Sequence, residues 1–213
     1  MLQLCYSPST ASMIPHLLLE EMGVPFELKT FDTGDKAHKS AEYLKLNPNG
    51  LIPALIDGDL VIYETAAILM HLLDAHPDSG LIPPIRTHAR AHFYKWLMWL
   101  TNTLQASLIL HFYPERWAED ASSIDQVKDH ATRKVHTLLD QIDAEIARNG
   151  DQWFSGSEYS ALDVYVFTLC RWTRRFERPA RSWPHIGPYL QRVHARAATQ
   201  TVFAREEIVE PWY

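Results

Sequence analysis

The sequence predicts an α/β domain followed by an all-helical domain. In the first third of the chain, apolar runs of strand length alternate with segments of helical periodicity. A cluster of prolines and a glycine follows between residues 77 and 84, and beyond it apolar residues recur only at helical spacing. We therefore predict a first domain over residues 1–76, a linker over 77–87 and a helical domain over 88–213.

Size and composition limit the class of protein. The chain has 213 residues, of which 46% are hydrophobic, enough for more than one packed core. The net charge of −6 is mild and argues against a nucleic-acid partner held through phosphates. The first residues lack the features of a signal peptide, and no apolar run reaches membrane-spanning length. With no metal-type spacing between Cys5 and Cys170, we predict a cytoplasmic protein in a reducing compartment without membrane contact.

The first domain begins with a β-α-β pattern. We predict a strand over Leu2–Tyr6 and a hydroxyl-rich loop over Ser7–Ser12. A helix follows over Met13–Gly23, where the glycine is a typical C-terminal stop. A second strand is predicted over Pro25–Phe31, and a polar segment over Asp32–Tyr43 leads to the next turn.

A hairpin and a helix complete this domain. Turn residues at 47–50 precede an apolar strand, in which Pro53 stands near the start, where a missing backbone donor is tolerated. Asp57-Gly58 is a hairpin signal, and Leu60–Tyr63 is the returning strand. Thr65 is suited to cap the helix that we predict from there to about Ala75.

The second half of the chain predicts several helices. Two long apolar stripes run from Phe93 to Leu108 and from Ile124 to Ile146. The segment Leu162–Trp172 is apolar on all sides, as in a buried helix, and Ser160 with Asp163 forms a capping-box pattern at its start. We predict a last short helix over Pro188–Ala198 and a tail over Thr199–Tyr213.

The stretch from Asn47 to Thr65 resembles the glutathione-binding half of cytosolic glutathione transferases. The resemblance implies a thioredoxin-like first domain with a cis bond at Ile52-Pro53, whose backbone would pair with the cysteine of glutathione. It also implies that Glu64 and Thr65 hold the γ-glutamyl end, Thr65 at a helix N-terminus that attracts carboxylates. Taken singly, these residues are equally consistent with a buried proline, an ordinary cap and a solvated glutamate.

The loop after the first strand resembles that of bacterial, beta-type relatives, with one sharp departure. Ala11 replaces the family's cysteine, so a mixed disulfide with glutathione at that position is excluded. Lowering a thiol pKa from about 8.5 to 6.5 needs roughly 2.7 kcal/mol, which one or two hydroxyl groups supply. Thr10 is the first candidate, Ser12 the second and Ser9 the third, and Tyr6 matches a strand-end tyrosine of the family. Each of these hydroxyl groups is equally suited to capping the following helix.

Two further groups of residues are candidate ligand contacts by the same resemblance. Lys36 and Lys39 lie where the family often has a cation for the glycine carboxylate of glutathione, although a solvated face fits them as well. The helical half lacks the family's histidine, since Gln105 stands in its place. Gln105, Phe112 and Tyr113 are candidates for the acceptor pocket, with ordinary packing as the alternative for the aromatic pair.

The resemblance implies a transferase that activates the glutathione thiol for attack on a small electrophile, and a homodimer. Two alternatives stay open: a glutathione-dependent disulfide reductase without a protein cysteine, and a non-catalytic binding or regulatory protein of the same fold. Glutathione is the expected co-substrate. No metal is expected, because His88 and His92 are four residues apart but have no third ligand nearby.

Overall fold

The computed structural model describes residues 1–150 and 152–213, which form two compact units. Unit 1 consists of residues 1–82 together with 194–210. Unit 2 consists of residues 83–193 together with 211–213. Among the described residues, every helix is too short or too polar to cross a membrane.

Unit 1 is built on a four-stranded mixed sheet with the order β2-β1-β3-β4. The central strand β1 runs parallel to β2 and antiparallel to β3, and β3 runs antiparallel to β4. The strands are β1 (Leu2–Tyr6), β2 (Phe26–Thr30), β3 (Ala54–Asp57) and β4 (Leu60–Tyr63). The helices of the first 82 residues are α1 (Met13–Met22), α2 (Ala41–Leu44) and α3 (Thr65–Ala75), with 3₁₀ turns at Ala37–Lys39 and Pro77–Ser79.

The predicted β-α-β start is confirmed to within a residue at each boundary. Strand β1 has the predicted bounds, and α1 stops before Gly23, which takes a left-handed conformation with φ 64°. Glycine adopts this conformation without a steric penalty, so it ends the helix as its position in the sequence indicated. The apolar side chains of α1 are buried from Met13 to Leu19.

The predicted hairpin is present, but its turn lies one residue later than the sequence signal. Asp57 pairs with Leu60, so the two turn residues are Gly58 and Asp59 rather than Asp57 and Gly58. Asp57 stays paired within the β3–β4 hairpin, because the left-handed backbone conformation of the turn, with φ 58°, falls on Gly58, where it has the smallest steric penalty. Strand β3 begins at Ala54, so Ile52 and Pro53 precede the strand instead of belonging to it.

The predicted tail after residue 198 is wrong, because Ala197–Arg205 forms a further helix, α9. Its residues Thr199, Val202 and Phe203 are buried. The segment belongs to unit 1, where Arg196 and Arg205 pair with Glu21 and Glu20 of α1. Its apolar stripe is too short to predict a helix, since most helical stability in proteins comes from tertiary packing.

Unit 2 is helical, as predicted. Its helices are α4 (His88–Trp99), α5 (Ala106–Phe112), α6 (Ala121–Arg148), α7 (Ala161–Trp172) and α8 (Ile186–His194). The predicted last helix, Pro188–Ala198, is displaced: α8 begins at Ile186 and ends at His194, before α9 starts.

The first long stripe of unit 2 is one helical path with a π-helical segment, Leu100–Gln105, between α4 and α5. Hydroxyl groups donate to backbone carbonyl oxygens across both ends of this segment: Thr101 donates to Leu97 O, and Ser107 donates to Thr103 O. Such bonds compete with the regular helical pattern, and π-helical turns often occur near functional residues. The spacing of apolar residues does not indicate this widening.

Candidate active site

The strand register brings the predicted site residues of unit 1 to one end of the sheet. Cys5, next to the end of β1, pairs with Ala54, the first residue of β3. Ala54 also pairs with Tyr63, the last residue of β4. The loop after β1, the Ile52-Pro53 pair before β3 and the Glu64-Thr65 pair after β4 therefore emerge at the same edge. The three motifs become neighbours because β3 runs antiparallel to the strands on either side of it, β1 and β4.

The peptide bond between Ile52 and Pro53 is cis, which confirms the prediction. The preceding residue is held firmly, since Leu51 O accepts hydrogen bonds from Tyr43 OH at 2.6 Å and from Asn47 Nδ2 at 2.7 Å. The backbone N–H and C=O of Ile52 form no hydrogen bond with the residues that the structure describes. This segment before β3 therefore keeps a donor and an acceptor for a peptide-like ligand.

The prediction that Thr65 caps α3 is wrong, because Thr65 is already the first residue of the helix. The cap position belongs to Glu64, whose φ is 71° and ψ is 114°, and no side chain caps this end within the described residues. The first intrahelical bond runs from Ile68 N to Glu64 O, so the N–H groups of residues 65–67 precede the helical ladder. An uncapped N-terminus of this kind attracts a carboxylate.

The two candidate lysines differ in their surroundings. Lys39 Nζ donates to Asn49 O at 3.2 Å, and its side chain covers Gly50, where an added Cβ would lie 2.8 Å from Nζ. Gly50 also has φ 57°, a left-handed backbone conformation that favours glycine. Lys36 is exposed, with φ 64°. Lys39 thus contacts the loop that leads to Ile52, and both lysines are exposed.

The hydroxyl groups of the loop after β1 form a network around Ser7 O. Thr10 Oγ1 lies 2.8 Å from Ser7 O, and Ser12 Oγ lies 2.9 Å from the same oxygen. The two hydroxyl groups are also 2.9 Å from each other, and Ser12 Oγ accepts from Ser7 N at 3.2 Å. Ser12 is fully buried, while Thr10 is partly exposed.

A hydroxyl group has a single proton, so Thr10 and Ser12 can each donate only one hydrogen bond at a time. Both Thr10 and Ser12 are within reach of Ser7 O, which needs only one of them. If Ser12 donates to Ser7 O, Thr10 is able to turn its proton elsewhere and Ser7 O keeps a donor. The reverse choice gives nothing to a ligand, since Ser12 is buried. Of the two hydroxyl groups, that of Thr10 is the one in a partly exposed residue.

Glu206 and His16, which the sequence did not identify as site residues, support the same loop. Ser9 has φ 63°, and its N–H donates to Glu206 Oε2 at 2.8 Å. The other oxygen of Glu206 lies 2.8 Å from His16 Nδ1 in α1, and both side chains are fully buried. A histidine inside the apolar run of α1 was the only signal in the sequence. Nothing indicated a partner 190 residues later.

Tyr6 and the two cysteines are packed in the protein interior. Tyr6, at the end of β1, is nearly buried, and its ring contacts that of His16 edge-on at 6.0 Å. Burial raises the pKa of the Cys5 thiol to about 11, and it also raises the pKa of Cys170. Since the thiolate is the nucleophilic form, neither cysteine is suited to attack a substrate near neutral pH.

The acceptor-pocket candidates all belong to unit 2. Gln105 Oε1 accepts a hydrogen bond from Tyr165 OH at 2.5 Å, so the amide NH₂ of Gln105 points the other way. Phe112 and Tyr113 are each 42% exposed. The Arg116 guanidinium lies 4.0 Å from the Tyr113 ring centroid, a cation–π distance. No group of three possible metal ligands is found in residues 1–150 and 152–213.

A thioredoxin-like sheet with a cis-proline edge, joined to a helical unit, defines a glutathione-dependent class of protein. Residues 5–74 match the family model "Glutathione S-transferase, N-terminal domain", and residues 125–196 match "Glutathione S-transferase, C-terminal domain". The chain belongs to the glutathione S-transferase family. It is a glutathione transferase with glutathione as its co-substrate.

Similar proteins cover nearly the whole chain. Glutathione S-transferase GST-4.5 of Xanthomonas campestris is 26% identical over 96% of this chain and 98% of its own. A glutathione transferase structure from Methylococcus capsulatus is 31% identical, with a TM-score of 0.86, and covers 98% of this chain and 100% of its own. A glutathione transferase homologue from Sulfitobacter, solved with bound glutathione, is 26% identical with a TM-score of 0.89. The match covers 98% of this chain and 99% of that one.

Proposed function

We propose that Thr10 holds the glutathione thiolate while it attacks a small electrophile. The observation that supports this assignment is the redundancy of donors at Ser7 O, which leaves the Thr10 proton available. A hydrogen bond to a charged acceptor contributes roughly 1.5–3 kcal/mol, which covers most of the free energy that thiol ionisation requires. The start of α1 follows within a few residues and adds a smaller favourable field.

The rest of glutathione fits the other two motifs at the same edge of the sheet. The Ile52 backbone pairs with the cysteine residue, and the N-terminus of α3 with Thr65 receives the γ-glutamyl carboxylate. Glu64, exposed beside it, accepts from the α-ammonium group. Lys36 and Lys39, both exposed, are the candidates for the glycine carboxylate, since Lys39 gives only one of its three N–H donors to Asn49 O.

Replacing Thr10 tests the assignment. Thr10→Val keeps the branched shape and deletes the donor, so we expect the pKa of the bound glutathione thiol to rise by about one to two units. The pKa is measured by titrating thiolate absorbance in the enzyme–glutathione complex, with Ser12→Ala as the matched variant. A shift seen only in Ser12→Ala would move the role to Ser12. No shift in either variant would leave the backbone amides or Tyr6 as the donor.

We also propose a cytoplasmic homodimer. Unit 1 exposes Leu60 and Val61 on its edge strand β4, and unit 2 exposes Tyr94 and Met98 on α4. Exposed apolar side chains on an edge strand and on a helix are typical of protein interfaces. Sedimentation at micromolar concentration is expected to give twice the chain mass of 24.6 kDa. A single species with the mass of one chain would refute the dimer.

A further inference from the structure

The amide side chain of Gln105 is held by a tyrosine from another helix. Gln105 is the last residue of the π-helical segment, and Tyr165 lies within α7. Tyr165 is fully buried, and its hydroxyl oxygen lies 2.5 Å from Gln105 Oε1. Because close packing fixes a buried ring, the hydroxyl group approaches the glutamine from one direction only.

The short distance determines which end of the amide faces Tyr165. Hydrogen bonds between two oxygen atoms span about 2.5–3.0 Å, whereas those from nitrogen to oxygen span about 2.7–3.2 Å. A separation of 2.5 Å therefore joins two oxygen atoms, and Tyr165 is the donor because an amide oxygen only accepts. The NH₂ group of Gln105 consequently points away from Tyr165.

This NH₂ group is available to a ligand. Among residues 1–150 and 152–213, no group accepts a hydrogen bond from Gln105 Nε2, and the side chain is only partly buried. Ile109, one turn further along the same helical path, is also partly buried and adds an apolar surface to this face. The face thus offers a neutral donor beside an apolar side chain.

A neutral donor with a fixed orientation suits an oxygen that gains negative charge during a reaction. When a thiolate adds to a conjugated carbonyl compound, its electron pair forms the carbon–sulfur bond, and the π electrons shift along the conjugated system onto the carbonyl oxygen. A donor that is already oriented stabilises this oxygen without reorganisation. Since a glutamine side chain does not release a proton, the α-carbon of the adduct takes its proton from water.

We propose that Gln105 donates a hydrogen bond to the carbonyl oxygen of a conjugated carbonyl substrate while the glutathione sulfur adds to its β-carbon. Tyr165 is the positioning residue, which keeps the NH₂ group of Gln105 turned away from α7. This inference rests on the proposed function in one respect, namely that a thiolate attacks an electrophile. It assigns the chemical class of that electrophile.

The test compares two electrophiles that each carry one phenyl ring, 4-phenylbut-3-en-2-one and benzyl chloride. Negative charge collects on the carbonyl oxygen in the first reaction and on the departing chloride in the second. Gln105→Met nearly keeps the length of the side chain and deletes the donor. We expect kcat/KM for the ketone to fall about ten- to hundredfold and that for benzyl chloride to stay within about twofold. Because the oxygen is charged only in the transition state, the loss should appear in kcat and not in KM.

Tyr165→Phe tests the positioning role, since it keeps Gln105 and releases its amide. We expect kcat for the ketone to fall about three- to tenfold, with benzyl chloride unaffected. Tyr189→Phe is the matched control, because it removes another buried tyrosine hydroxyl of unit 2, which donates to Asp163 Oδ1 at 3.0 Å. This control should lower stability and preserve the ratio of the two rates.

Three results would overturn the proposal: an unaltered protein that does not conjugate the ketone, a ketone rate that Gln105→Met leaves unchanged, and equal losses for both electrophiles. An effect of Gln105→Met without any effect of Tyr165→Phe would reject Tyr165 as the positioning residue. The two proposals fail independently. The thiol titration in Thr10→Val judges the thiolate, and the ratio of the two rates judges Gln105.

Discussion

Two helices of this protein begin in opposite ways. At the start of α7, Ser160 and Asp163 form a complete capping box. Asp163 is fully buried and accepts from Phe154 N, Ser160 N and Tyr189 OH at 2.8–3.0 Å. At the start of α3, Glu64 occupies the cap position with a positive φ, and within the described chain no side chain caps the helix.

The difference shows how the same backbone groups serve either stability or binding. A side chain that accepts from the first N–H groups of a helix stabilises the fold and leaves nothing for a ligand. An uncapped N-terminus contributes less to stability and keeps its donors and partial positive charge for an anion. On this view, mutations at α7 should change stability alone, and mutations at α3 should change glutathione affinity alone.

The largest expected effect is that of Asp163→Ala on stability. The variant leaves the buried backbone N–H groups of Phe154 and Ser160 without their acceptor, and the Tyr189 hydroxyl keeps only its longer contact with the backbone oxygen of residue 163. We therefore expect the free energy of unfolding to fall by roughly 3–5 kcal/mol. Urea unfolding measures the loss, and Asp129→Ala on the exposed surface of α6 is the control. A loss under 1 kcal/mol would mean that the capping box is dispensable.

The pH dependence of stability should carry the signature of Asp163. Burial outweighs the hydrogen-bond donors and raises the pKa of this carboxyl group from 3.8 to about 6. A raised folded-state pKa means that the folded protein binds a proton more tightly, so the contribution is complete below pH 3.8 and disappears as the pH rises through 6.

Asp163→Asn removes this titration. The stability of the unaltered protein relative to the variant should therefore fall by roughly 2–3 kcal/mol between pH 4 and pH 7. Unfolding curves of both proteins across this range measure the difference. Parallel pH profiles would show that Asp163 titrates normally despite its burial.

At α3 we expect a smaller free-energy change. It should appear in glutathione binding and not in the stability of the protein. Glu64→Ala and Thr65→Ala should each lower glutathione affinity about ten- to hundredfold, since each removes a polar contact with a charged ligand group. Because neither side chain caps the helix, stability should change by less than about 1 kcal/mol.

Thr87→Ala is the matched control for this pair. Thr87 caps α4 by accepting from Arg90 N at 3.1 Å, so its loss should cost about 0.5–2 kcal/mol of stability and no glutathione affinity. If calorimetry finds unchanged affinity in both α3 variants, the γ-glutamyl group binds elsewhere.

Local patterns in the sequence determined much of this protein. The bounds of β1 and α3, the end of α1 at Gly23 and the capping box of α7 were predictable, because each depends on residues a few positions apart. The cis bond at Ile52-Pro53 was implied by the resemblance to glutathione transferases. The resemblance also predicted the residues at 52–53 and 64–65 as glutathione contacts, which the variants above test. Their short-range order in the sequence reflects the hairpin that joins them.

Other features were decided only by tertiary structure. The sequence could not indicate that α9 belongs with the first 82 residues, or that Glu206 contacts both Ser9 and His16. It also did not separate Thr10 from Ser12, which differ in burial and not in chemistry. The orientation of Gln105 depends on a hydroxyl from another helix. Such contacts join residues that are far apart in the chain, and only packing determines which polar groups meet and which keep a free proton or lone pair.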